Sequence, residues 1–327
     1  MRGSYEAVVS KVLVAFSLIV FAIGYVVSVA KLNWLHIDLM KSALVLFPHG
    51  VAIAYASSLS KRKELYKLHL LSLPLIALPF SYDIVRYYLI IVSSYFVPFT
   101  LLSSKDWKGP FKRSLELVAV SYLALALYSA IRANDPFIDG VRLLVYPITL
   151  IYAVSSQSFP KTFGDQAHWG LVFTSSVLAF SILLYPNPAS VLTVASLFLY
   201  LVSIKLYKFR EYLAKVESMK DKPIPYRANR YFLYGHLWVI VSTLAPLLYF
   251  NSPLAFLHSL VLGFISLHIF IHFPLMVPII LRIRNAKRYN QLPYPFAIIS
   301  AFVWPFAKDL AWISFLVGFA LLLRIVL

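Results

Sequence analysis

Apolar runs of 14 to 28 residues, each ended by charge, proline or glycine, occupy most of this chain. Crossing a bilayer core takes a helix of about 20 residues. In lipid only helices and closed barrels satisfy every backbone N–H and C=O, and continuous runs of this length are helical. Of 327 residues, 61% are hydrophobic and 13% charged, too little polar surface to cover a water-soluble domain of that size. The expectation is an all-α polytopic membrane bundle, a single transmembrane domain over 1–327.

The runs place spans at 8–30, 37–59, 68–81, 86–103, 114–131, 141–157, 169–186, 189–206, 231–250, 254–281, 294–307 and 310–326. That makes about twelve transmembrane helices, or ten if the short segments 68–81 and 294–307 only dip into the membrane. Ser28-Val29-Ala30 looks like a signal cleavage site, but the run before it is longer than a signal h-region and reads as a retained helix. With both termini in the cytoplasm, 24 of the 30 Lys and Arg lie on or near that side. The other six are Lys31, Lys41, Arg86, Arg132, Arg142 and Lys308. This bias obeys the positive-inside rule, so the formal charge of +17 is a topology signal and not a nucleic-acid surface. The reading is a multi-pass protein of the plasma membrane. Its one substantial soluble segment, the basic loop 207–230, is either solvated or laid on anionic headgroups. The external loops leave no room for an extracytoplasmic catalytic domain.

The chain has no cysteine, which excludes thiolate-ligated haem, cysteine-bound iron–sulfur clusters and Cys-containing zinc sites. Chemistry then falls to ionisable residues inside the membrane, which are costly there and mark function by default. Five of the eight histidines sit on two runs: His36 and His49 on the second, His258, His268 and His272 on the tenth. At 100° per residue the last three share one face of a straight helix, and His258 lies ~21 Å from His272 along its axis. His36 and His49 are ~20 Å apart by the same arithmetic. Both runs enter from outside, which sets His36 level with His258, and His49 level with His268 or His272. Two haem irons could thus be held by axial pairs, His36/His258 and His49/His272, with His268 as substitute. His36 and His49 share a face only if Pro48 bends the helix between them.

Each of these histidines, taken singly, also suits an interhelical hydrogen bond without any metal. His268 and His272, at i and i+4, can chelate one ion or join another histidine in a copper centre. His69, His168 and His236 read as interfacial. His236 is the best spare ligand, because Gly235 beside it permits close approach.

The stretch His258-x4-Gly263-x4-His268-x3-His272, followed by Phe273-Pro274-Leu275-Met276-Val277-Pro278, resembles the histidine-bearing helix of polytopic haem and haem-copper membrane proteins, the NnrS family among them. In size, lack of cysteine and richness in Tyr and Pro, the chain is similar to the hydrophobic CbsB-like subunit of archaeal b-type cytochrome complexes. The resemblance implies a metal-binding respiratory-chain subunit with two haems b, and with quinone as a further ligand. Such a subunit transfers electrons between the quinone pool and an extracytoplasmic cytochrome or other redox partner, within a membrane oxidoreductase complex. Two other classes compete. One is a lipid-linked glycosyl or acyl transferase using Asp38 beside His36. The other is a transporter or structural membrane anchor, with helix breaks at Pro74, Pro79, Pro98, Pro147, Pro246, Pro274 and Pro278.

Near the outer face, Arg86, Arg132, Arg142 and Lys308 are candidates to hold haem propionates or a quinone. Asp38, Asp83, Asp135, Asp139 and Asp309 are their expected partners. The spacing of Asp83 and Arg86 predicts a local ion pair, and Lys41 is expected to snorkel outward.

Overall fold

A computed structural model describes residues 5–30, 32–131, 133–185, 189–281 and 289–326; Arg132 and the loop Arg282 to Arg288 lie outside them. Among the described residues there are helices and no strand. Seven helical segments are long and apolar enough to cross a membrane: Tyr5–Ser28, Leu35–Leu59, Tyr82–Ser104, Gly109–Ala130, Pro136–Thr162, Pro223–Leu248 and Pro253–Ile280. An eighth is formed if the bent pair Ser190–Ser203 and Leu206–Glu217 counts as one span. Large apolar side chains lie on the outside as well as in the core. Serines, threonines and histidines are buried among the apolar side chains of the interior, while Leu184, Ile279 and Phe306 are 73%, 70% and 82% exposed. This is the fold of a multi-pass α-helical membrane protein, whose helices associate through close packing and interhelical hydrogen bonds. The described residues gather into two compact units, Met1–Val154 with Ile182–Tyr185, and Ser155–Ser181 with Pro186–Leu327.

The first unit opens with an antiparallel helix pair, α1 (Tyr5–Val29) and α2 (Asn33–Leu59). They approach closely because Gly50 has no side chain: a Cβ there would stand 2.8 Å from Val14 Cγ2 and 3.1 Å from Ser10 O. The Ser10 hydroxyl donates across the same gap to Gly50 O at 2.7 Å. Next comes a 3-10 helix over Lys63–Phe80. With three residues per turn, every third side chain falls on one line, and Tyr66, His69, Ser72, Leu75 and Leu78 are all buried. At ~2.0 Å rise per residue these 18 residues extend ~36 Å, longer than the bilayer core. The helices α3 (Tyr82–Val85), α4 (Tyr88–Ser104), α5 (Gly109–Ala130), α6 (Pro136–Leu143) and α7 (Val145–Thr162) follow, and α7 passes from the first unit into the second at Ser155. Asp135 caps α6, its carboxylate accepting from the N–H groups of Phe137 and Ile138 ahead of Pro136 in the first turn.

In the second unit α8 (Trp169–Ala179) pairs with α9 (Ala189–Ser203) through the Ser196 hydroxyl, which donates to Ser175 O at 2.7 Å. The chain then breaks at Lys205, which is left-handed (φ 61°), and turns 45° into α10 (Phe209–Glu217). The ammonium of Lys205 lies 2.7 Å from Asp165, which also takes bonds from Lys208 and Tyr212. Burial acts to raise the Asp165 carboxyl, but bonds from Lys205, the Gln166 N–H and Lys208 overcome it and hold the group well below the usual carboxylate range. Beyond α10 come α11 (Pro223–Ser242), α12 (Leu244–Leu248), α13 (Pro253–His258), a π-helical stretch Ser259–Ile265 and α14 (Ser266–Leu281). The unit closes with the pair α15 (Pro293–Val303) and α16 (Lys308–Val326), tied by the Ser314 hydroxyl to Phe296 O.

Candidate functional site

In the first unit three charged side chains turn inward. Asp139 on α6 accepts from Lys41 Nζ of α2 and from Arg86 Nη1, each at 2.7 Å, and all three residues are buried. Arg86 Nη2 also donates to the carbonyls of Tyr128 and Ile131, and the Tyr128 hydroxyl donates to Asp139 Oδ2 at 3.0 Å. Arg86 thus pairs with Asp139, 53 residues on, in place of the expected Asp83. Lys41 does not snorkel, because a carboxylate meets it inside. Asp38 is half-buried with Lys41, Asp83 and Asp139 as its charged neighbours.

On the same helices lies an uncharged polar chain centred on His49. The imidazole is wholly buried: Nδ1 bonds the Tyr122 hydroxyl of α5, and Nε2 bonds Ser72 Oγ of the 3-10 helix at 2.7 Å. Ser72 continues to the Tyr95 hydroxyl at 2.6 Å, and Tyr146 donates to Tyr122 at 3.1 Å. One 3-10 turn from Ser72, His69 Nε2 bonds Ser57 Oγ at 3.0 Å, and its Nδ1 is buried with no partner. His36 Nδ1 bonds Gly24 O at 2.9 Å, near the start of α2.

The second unit gathers three histidines. The rings of His268 and His272, one turn apart on α14, each stand 5.9 Å from the ring of His236 on α11 and nearly perpendicular to it. In both His236 and His268, Nδ1 donates to the helix carbonyl four residues back, Phe232 O and Phe264 O. That bond fixes the tautomer and leaves Nε2 as a lone pair, the arrangement typical of a metal-bound imidazole. His268 Nε2 meets the Tyr200 hydroxyl at 3.4 Å and His272 Nε2 meets Ser155 Oγ at 2.8 Å, while His236 Nε2 is buried with no partner. Gly235 permits this approach: a Cβ there would stand 2.5 Å from Ile271 Cγ1 and 2.9 Å from the Tyr294 ring.

No family model, curated protein or solved structure matches the chain.

His258 has different surroundings from His268 and His272. It is half-buried, its Nδ1 bonds Leu254 O, and its ring stacks on Trp304 at 3.7 Å and 12°. The expected common face assumes a straight α-helix, whereas seven residues of π winding separate His258 from the other two and change their phase. The expected pairs His36/His258 and His49/His272 each join a residue of the first unit to one of the second. Among the described residues no three His, Asp or Glu side chains converge as ligands of one metal ion. Arg142 Nη2 donates to Tyr185 O, and Lys308 lies over the Trp304 ring. Sequence reasoning passed over Tyr122, Tyr146, Tyr95 and Ser72. The period of three in 66, 69, 72, 75 and 78 is the one signal that marks Ser72 as inward.

Proposed function

We propose that the protein is a multi-pass plasma-membrane electron carrier of the b-type cytochrome kind, with about twelve crossings and both termini in the cytoplasm. It would pass electrons between the quinone pool and an extracytoplasmic cytochrome or other redox subunit. The observation that carries this reading is the His236, His268, His272 group. It has a buried imidazole lone pair without a donor among the described residues, beside two more histidines whose rings stand 5.9 Å away. An unpartnered buried acceptor costs about 1–3 kcal/mol, and an axial bond to iron would relieve that cost.

His236, with His268 or His272, would hold a haem b. Haem would provide the one-electron couple. The chain's own part is to fix the imidazole tautomers through Phe232 O and Phe264 O and to keep water away. His49 is not part of this ligand set, since Ser72 and Tyr122 occupy both of its nitrogens.

The test is a dithionite-reduced minus oxidised spectrum of protein expressed with haem available, with pyridine haemochrome quantification. The expected result is at least one b haem per chain, lost in His236→Leu; a count of two would extend the reading to a second haem. A folded preparation without haem would overturn it.

A further inference from the structure

The hydrogen-bonded chain through His49 belongs to the first unit and has no part in the proposed haem site. All its members are buried: Tyr146, Tyr122, His49, Ser72 and Tyr95. Four bonds join them in series, with both nitrogens of one imidazole in the middle.

Donor accounting gives the series a direction. Tyr146 donates to Tyr122 Oη. Tyr122 has one hydroxyl hydrogen, and inside an apolar bundle that hydrogen must find an acceptor. Its remaining contact in the series is His49 Nδ1, so Nδ1 is the acceptor and Nε2 carries the imidazole hydrogen. Nε2–H then donates to Ser72 Oγ, which leaves the Ser72 hydrogen for Tyr95 Oη. Every hydrogen points the same way, from Tyr146 toward Tyr95.

Such a file does more than hold helices together. An interhelical clamp needs one bond, and a serine or threonine bonded to a backbone carbonyl suffices, as Ser196 and Ser314 show. Here an imidazole has been placed where it can take a proton on one nitrogen and release one from the other. A second buried histidine stands close by: His69 is one turn from Ser72 on the same inward line, and its ring lies 6.0 Å from that of Tyr95. Its Nδ1 is buried without a partner among the described residues, and its Nε2 bonds Ser57 Oγ. Ser57 O and Ser60 O receive the Tyr66 hydroxyl, and Ser60 Oγ receives that of Ser103, at the end of α2 that precedes Lys61, Arg62 and Lys63. At the other end, Tyr146 lies seven residues beyond Asp139, the buried carboxylate of the ion network. Histidine and carboxylate files of this kind mark proton routes in membranes.

We propose that the first unit is a proton relay, in which His49 passes protons between Tyr122 and Ser72. The step balances without any electron transfer. A proton reaching Tyr146 Oη displaces its hydrogen to Tyr122 Oη. The Tyr122 hydrogen moves to His49 Nδ1, the Nε2 hydrogen moves to Ser72 Oγ, and the Ser72 hydrogen moves to Tyr95 Oη. The hydrogen that Tyr95 already carried leaves Oη toward His69, so one N–H or O–H bond forms for each that breaks. His49 is left as its other tautomer and is reset by reversing its ring. The 3-10 winding serves the relay because its three-residue period brings His69 and Ser72 onto one line, which α winding does not.

The experiment uses the full chain in liposomes that enclose a pH-sensitive dye, with a potassium gradient and valinomycin to impose a potential. Proton entry should exceed that of protein-free vesicles, and should fall at least tenfold in Tyr122→Phe and in Ser72→Ala. Each substitution removes a single oxygen, and helical circular dichroism with size-exclusion elution reports the fold. Should Tyr122→Phe fail to fold, Ser72→Ala decides. Tyr55→Phe, which deletes a buried hydroxyl bonded to Ser114 outside the series, should leave the flux unchanged. Wild-type flux at the level of empty vesicles would overturn the relay, as would folded Tyr122→Phe or Ser72→Ala protein that conducts like wild type. Haem content has no bearing on this result.

Discussion

Arg86 Nη1 and Asp139 Oδ1 meet at 2.7 Å in the first unit, with both side chains 3% exposed, and Lys41 completes the group from the other carboxylate oxygen. One anion therefore holds two buried cations. Removing one member of a buried pair leaves the rest uncompensated and costs about 3–5 kcal/mol. Asp139→Ala should consequently lower the midpoint of thermal unfolding by roughly 10 °C or abolish folding. Lys41→Met should cost less, because Arg86 still neutralises Asp139. Equal midpoints for Asp139→Ala and wild type would show that the network is not structural.

His236 makes the opposite prediction for the haem-free protein. Its Nε2 is buried without a donor, so replacing the ring by an apolar side chain of similar volume removes a desolvation cost. His236→Leu should raise the unfolding midpoint of haem-free protein, by about 1 kcal/mol in stability, and eliminate the haem signal of protein grown with haem. Lower stability in the haem-free state would mean that the imidazole is satisfied in some other way.

Gly235 tests the packing that creates this group. A Cβ would stand 2.5 Å from Ile271, on the helix that carries His268 and His272, and must push α11 and α14 apart. Overpacking of this sort costs about 1–3 kcal/mol. Gly235→Ala should lower stability by that amount and weaken haem retention as well. Gly170→Ala, where no atom lies within 4 Å of the added carbon, should do neither.

The all-helical membrane fold was legible from the length of the apolar runs alone, since lipid leaves few alternatives. The winding of the third run was not, because nothing in its composition sets the 3-10 helix Lys63–Phe80 apart from an α-helix. His268 and His272 could be paired from spacing because α14 is regular between them. His258 could not, because a π-helical stretch has no compositional mark. Arg86 looked like the partner of Asp83 because local spacing is all that one chain displays, and its actual carboxylate arrives from α6 through tertiary packing. His236 was singled out for the glycine before it, and Gly235 does stand at the close approach to α14.

Asp165 offers a test by pH. Its carboxyl is held below its ordinary value in the folded protein by Lys205, the Gln166 N–H and Lys208, despite the opposing effect of burial. A carboxyl depressed in the folded state stabilises above its unfolded value, near 4, and that contribution fades as pH falls through the folded value. Asp165→Asn should therefore be less stable than wild type at pH 7, by about 1.5–3 kcal/mol for the charged hydrogen bonds lost. The gap should narrow steadily below about pH 4. Lys205→Gly separates the two roles of that residue, since glycine relaxes the left-handed backbone while deleting the ammonium. Its unfolding midpoint should fall less than that of Lys205→Ala, which loses the same bond and keeps the strained φ. Parallel denaturation curves for Asp165→Asn and wild type, separated by the same amount from pH 7 to pH 3, would exclude the ion pairs as the source of the effect.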